Sequence, residues 1–121
     1  MSQIVAIIGA SEKKHRVAHR AMVMLRQHGY QIRLVNPFKE NIEGIKCYSS
    51  VSDINEQIHT VTLYVNPARF RDHIDEVIRA KPERVIMNPG SEDAEMAAKL
   101  ESAGIHVDRA CTLVMLTTGN F

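Results

Sequence analysis

An α/β domain, a parallel sheet covered by helices on both faces, is what this sequence predicts, and three observations predict it. Short β-branched runs recur along the chain. Helical patterns fall between them, which is the alternation of βαβ units. The runs are apolar at nearly every position, as strands buried on both faces require. With 121 residues, 45% of them hydrophobic, the chain can bury one core of ordinary size, so residues 1–121 read as a single domain.

The first run, Ile4 to Ile8, reads as a strand. Val17, Ala21, Leu25 and His28 then recur at i, i+4, i+8 and i+11, defining one face of a helix that Gly29 ends by supplying a left-handed position. Gln31 to Val35 is the second strand. Ser50 to Glu56 offers a short helix or turn with Ser50 or Ser52 as N-cap. Val61 to Val65 is the third strand. From Pro67 to Arg79, Phe70, Ile74, Val77 and Ile78 share one helical face, while Arg71, Asp72, Asp75, Glu76 and Arg79 face water. Arg84 to Met87 is the fourth strand. Glu92 to Ala103 follows as a helix with acids in its first turn and Gly104 at its end. Ile105 to Val107 is the fifth strand, and Ala110 to Leu116 closes the chain as a short helix.

Charge and composition narrow the function. Fifteen Lys and Arg against fourteen Asp and Glu leave no global basic field, so nucleic acid is not expected and any anion site must arise from local clustering. The run Ile4 to Ile8 is too short for a signal peptide core, and no stretch reaches the ~18 apolar residues of a membrane span. A soluble, cytoplasmic protein without a membrane partner is expected. Cys47 and Cys111 lie far apart without CxxC or Cys/His spacing, which indicates neither a disulfide framework nor a zinc site and fits a reduced cytosol.

The stretch "VAIIGASEKKHRVAHR", Val5 to Arg20, carries the main functional signal. In a parallel sheet, ligands bind beyond the carboxyl ends of the strands, usually at the first βα turn, here Gly9, Ala10 and Ser11. Glycine admits close backbone approach, and the free N–H groups at the next helix start attract a pyrophosphate. A Gly9→Val change is therefore expected to weaken nucleotide binding while largely sparing the fold. Against the dinucleotide pattern GxGxxG, positions Gly9, Ser11 and Lys14 match once. At the end of the second strand stand Asn36, Pro37, Phe38 and Lys39, where NAD-binding chains place an acid for the ribose hydroxyls. A neutral amide followed by a cation favours a phosphorylated ribose, as in coenzyme A or NADP. The alternative is that Asn36 and Pro37 shape a turn and Lys39 is solvated.

The segments "GAS", "HRVAH", "HGY", "VNPFKENIEG", "CYSSVSDI" and "NPG" resemble the small stand-alone CoA-binding proteins related to the N-terminal domain of the succinyl-CoA synthetase α subunit. The similarity covers nearly the whole chain, and GY followed by VNP and IxG is its most specific part. It implies a single Rossmann-like domain, with five parallel strands in the order 3-2-1-4-5, that holds CoA or an acyl-CoA by its nucleotide half. By that resemblance, Gly9, Ala10 and Ser11 face phosphates, and Asn36, Pro37 and Lys39 lie along the adenosine end. Asn66 with Pro67, and Asn88 with Pro89 and Gly90, resemble the loops lining the synthetase cleft. Many relatives carry serine where Ala18 stands. The synthetase's phosphorylated histidine lies in a later domain that this chain lacks, so ligase activity does not carry over and a non-catalytic binding module is expected.

Other clusters have plainer readings beside sharper ones. His15 and His19 have metal-compatible spacing without a third ligand, so no metal is expected. Arg16 and His19, with His15 and Arg20, form either a cationic wall near the phosphates or a solvated helix face. Cys111 is either packed and inert or, at a helix start, a reactive thiol. The rivals to the binding module are a small NADP-dependent oxidoreductase, whose proton donor is not apparent, and a redox-sensing protein. A phosphoacceptor receiver domain is excluded, because Asn66 and Gly9, Ala10 and Ser11 stand where it needs acids.

Overall fold

A computed structural model describes residues 3–121. The elements follow the chain as β1 (Ile4–Ile8), α1 (Val17–Gln27), β2 (Gln31–Val35), β3 (Asn41–Ile42), β4 (Ile45–Tyr48), a 3₁₀ turn (Val51–Asp53), β5 (Thr60–Leu63), α2 (Pro67–Arg71), α3 (Ile74–Ala80), β6 (Arg84–Met87), α4 (Ala94–Ser102), β7 (His106–Arg109) and α5 (Thr112–Thr118). The seven strands form one sheet in the order β3-β4-β2-β1-β5-β6-β7. All pairings are parallel except β3 with β4.

This corrects the expected topology. The five strands read from the sequence all form, but in their own numbering they run 2-1-3-4-5. The place beside β2 that the expectation gave to Val61–Val65 belongs to β4, which pairs with β2 through Leu34–Cys47 and Val35–Tyr48. With β4 counted as the third strand, the six parallel strands run 3-2-1-4-5-6, the doubly wound arrangement. The missed segment is a hairpin whose turn, Glu43 and Gly44, has φ of 50° and 81°. Two consecutive positive φ values make the tight turn that suits twisted strands.

The sheet buries both faces. Ala6, Ile8, Val35, Val61, Leu63, Val85 and Met87 point to the side covered by Phe70, Ile74, Val77, Met96 and Leu100. Val5, Ile7, Ile32 and Leu34 point to the other side, against Met22, Leu25 and Leu116. The period of two within continuously apolar strands explains why no polar alternation was visible.

Helix boundaries shift in instructive ways. In α1 the buried face is Ala18, His19, Ala21, Met22 and Leu25, whereas Val17 and His28 lie on the exposed side. The single helix expected over Pro67 to Arg79 is broken at Asp72 and His73. There the backbone bonds tighten to i−3, Asp72 N to Arg69 O at 3.2 Å and His73 N to Phe70 O at 2.8 Å, before α3 restarts. Both halves keep their apolar anchors, Phe70 and Ile74, in the core.

Candidate functional site

Register sets the place of the site. Ile8, the last residue of β1, is level with Val35 of β2 on one side and Leu63 of β5 on the other. The loops beginning at Gly9, Asn36 and Tyr64 therefore meet at one rim, where the strand order reverses and helices start.

Gly9 has φ +89°, and a Cβ there would lie 3.0 Å from the carbonyl carbon and oxygen of Tyr64 and from Val65 Cγ1. Glycine is thus required by the approach of β1 to the loop after β5, before any ligand arrives. The expectation that valine would spare the fold is corrected. The Gly9 and Ala10 amides also both point at Val35 O, at 3.2 and 3.3 Å, so neither is a free donor for a phosphate. Ser11 accepts from Lys13 N at 3.1 Å, which turns the loop toward α1.

Two cavities adjoin at Gly9 and Arg69. The wider, about 420 Å³, is lined by Gly9, Ala10, Ser11, Lys13, Arg16, Val17, Ala18, Tyr64, Arg69 and Pro89. Three cations face it and no acid does. It also holds the start of α1, where Arg16 as N-cap supplies no side-chain acceptor and the first turn contains no acid. The positive end of that helix is left available to an anion. The narrower cavity, a slot, runs between the ends of β1 and β2, Ser49–Ser50–Val51, and Arg69, His73 and Glu76, with Pro37 and Val65 on its walls. The surface it exposes is mainly apolar, and Ser50, His73 and Glu76 add a cluster of polar groups.

Those polar groups form a short chain. Ser50 Oγ donates to Glu76 Oε2 at 2.6 Å, and His73 Nδ1 lies 3.5 Å from the same oxygen. The acid stands between serine and histidine, so the imidazole is not placed to take the serine's proton, unlike a hydrolytic triad. Arg69, which joins the two cavities, also sits over the exposed Phe38 ring at 5.9 Å.

Several expected site residues serve the scaffold. Asn36 donates to Ala10 O at 2.8 Å and accepts from Phe38 N at 2.8 Å, tying the first two loops together while its backbone lines the slot. Asn66 caps α2 by accepting from Arg69 N at 2.9 Å, with Pro67 at the first helical position. Asn88 is buried, donates to Thr62 Oγ1 at 2.6 Å and Leu63 O at 2.9 Å, and accepts from Thr112 N at 2.9 Å. Gly90 N donates to Glu92 Oε1 at 2.6 Å. The backbone N–H groups of Glu92 itself and of Gly90 hold that carboxyl below its usual range. Of this loop, only Pro89 reaches the wider cavity. His19 lines neither cavity; it is buried and its Nε2 meets Glu43 Oε2 in the β3–β4 turn. That contact lowers the Glu43 carboxyl, against the opposing effect of desolvation. Lys39 lines neither cavity; its Nζ is 2.6 Å from Glu12 Oε1.

Lys13 and Arg69 are the cations that sequence reasoning missed. Among the described residues, no group of three or more His, Cys, Asp or Glu is arranged to hold a metal ion. No helix among them is long and apolar enough to cross a membrane. Cys47 is buried, and desolvation pushes its thiol up.

Comparison with known proteins agrees with this geometry. Residues 3–117 match the family described as CoA binding domain. An ADP-forming acetate–CoA ligase of Methanocaldococcus jannaschii is 39% identical over 61 residues, half of this chain. An acetate–CoA ligase [ADP-forming] I of Archaeoglobus fulgidus is 31% identical over 107 residues, 87% of this chain. The chain spans 9% and 16% of those two ligases. A solved structure, a hypothetical protein from Pyrococcus horikoshii OT3, superposes with a TM-score of 0.90 at 31% identity, covering 94% of this chain and 81% of its own. None of these relatives supports the NADP-dependent alternative. The chain belongs to the CoA binding domain family, as its sequence segments suggested.

Proposed function

We propose that this member of the CoA binding domain family binds coenzyme A, free or acylated, by its nucleotide half in the paired cavities, and that it performs no chemistry of its own. The observation that carries the reading is the wider cavity, where Lys13, Arg16 and Arg69 converge without an acid on the uncapped start of α1. A pyrophosphate fits that chemistry: delocalised negative charge, met by fixed N–H groups and cations. The adenosine would enter the adjoining slot, whose apolar walls suit the faces of a purine and whose polar cluster suits its edge. Lys39, two residues beyond Pro37 of the slot, would meet the phosphate on the ribose.

The acid-centred order of Ser50, Glu76 and His73, in which the imidazole is not placed to take the serine's proton, supports a binding role. As a module of this kind, the domain would act by holding or presenting the cofactor. The test is mass spectrometry of small molecules released from freshly purified protein. CoA or acyl-CoA in stoichiometric amount supports the reading; NADP in its place overturns it.

A further inference from the structure

The first 39 residues contain one acid, Glu12, against seven Lys and Arg. That acid stands inside the loop that approaches the proposed phosphate site, between Ser11 and Lys13, where a carboxylate repels the ligand. Its Oε1 lies 2.6 Å from Lys39 Nζ, with the two side chains 51% and 43% exposed. The contact joins the loop after β1, between Ser11 and Lys13 of the wider cavity, to the loop after β2, two residues beyond Pro37 of the slot. Asn36 already ties these loops through Ala10 O at 2.8 Å, so the ion pair is not needed to hold them in register.

We infer that Glu12 sets the affinity for the phosphorylated ligand as an internal competitor, which occupies Lys39 until a ribose phosphate displaces it. The inference rests on the CoA reading of the cleft. Its physical logic is an exchange. A half-exposed lysine–carboxylate pair is weak, because water and salt screen it. A phosphate dianion carries more charge and more acceptor oxygens than a carboxylate, so it takes the ammonium from Glu12. A ligand without that phosphate leaves the pair closed. Lys39 then rewards only the phosphorylated ligand, and Glu12 lowers that reward by competing for the ammonium.

The test measures dissociation constants for CoA and dephospho-CoA on wild type, Glu12→Gln, Lys39→Ala and the double variant, by calorimetric titration at fixed ionic strength. Glu12→Gln keeps size and polarity on an exposed loop and removes the competing charge. It should tighten CoA binding by roughly two- to fivefold, the range set by the strength of an exposed pair, and change dephospho-CoA by less than about twofold on the same basis. In the Lys39→Ala background the same change should leave the CoA to dephospho-CoA ratio unaltered. CoA binding that Glu12→Gln leaves unchanged or weakens overturns the inference while the functional reading stands. Wild-type protein that binds neither ligand overturns the functional reading and this inference with it.

Discussion

Gly9 and Gly44 separate two reasons for a glycine, and the comparison gives a quantitative test of the rim geometry. Gly9 has φ +89° and Gly44 φ +81°, so alanine at either position must adopt a left-handed backbone. That costs about 1–2 kcal/mol, partly offset by about 0.4–1 kcal/mol from the stiffer unfolded chain. Nothing lies within 4 Å of a Cβ at Gly44. At Gly9 the same atom would sit 3.0 Å from the Tyr64 carbonyl carbon and oxygen, backbone that cannot rotate away as a flexible side chain would. Overpacking of that kind adds about 1–3 kcal/mol. Gly44→Ala should therefore lose about 1 kcal/mol and Gly9→Ala roughly 2–4 kcal/mol. In urea melts with a slope of about 1–3 kcal/mol per molar, the Gly9→Ala midpoint should fall by about 1 M or more and that of Gly44→Ala by about half a molar. Equal shifts for the two variants would show that Gly9 is not held against the loop after β5, and the account of how the rim closes would fail.

Other outcomes follow from the same geometry. Asn88→Ala should destabilise by about 2–4 kcal/mol in urea melts, because Thr62, Leu63 O and Thr112 N lose a buried partner together; CoA affinity of the folded protein should change little. Glu43 contributes stability through His19, and since its folded pKa is lowered, that contribution is present above the ordinary carboxylate range and lost as pH falls through the depressed value. Glu43→Gln should accordingly flatten the acid limb of the stability–pH curve, measured by urea melts across the acid range. Cys111→Ser should leave CoA affinity within a few-fold, and intact-mass analysis of wild type after exposure to CoA disulfide should show no adduct. An adduct that vanishes in the variant would make redox sensing the better reading.

The sequence disclosed the layers of this fold and the rim on which the site lies, because the central strands, buried on both faces, leave continuous apolar runs and helices leave faces. It did not disclose β3 and β4. Two-residue Asn41–Ile42 is too short to show a period, and the turn that joins it to Ile45 places Glu43, not asparagine or aspartate, at a positive φ. The strand order failed for that reason alone. In the site, Gly9, Ser11, Arg16 and Pro37 were legible from position after a strand or at a helix start. Asn36 and Asn88 were legible as important but not as scaffold, since an amide that braces two loops and one that contacts a ligand look alike in sequence. Lys13 and Arg69 needed tertiary structure: Arg69 reaches the cleft from α2, more than fifty residues from the glycine turn it faces.

The most direct test of the central claim is a titration of ¹⁵N-labelled protein with CoA, followed by amide chemical shifts. The account predicts saturable shifts near one equivalent, concentrated at Ser11, Lys13, Val17 and Ala18 around the start of α1, at Ser50 and Val51 on the slot, and at Arg69 where the cavities join. Arg69→Ala should weaken the binding that these shifts report. No saturable shifts, or shifts gathered instead around Met22, Arg26 and Glu43 on the far groove, would contradict it.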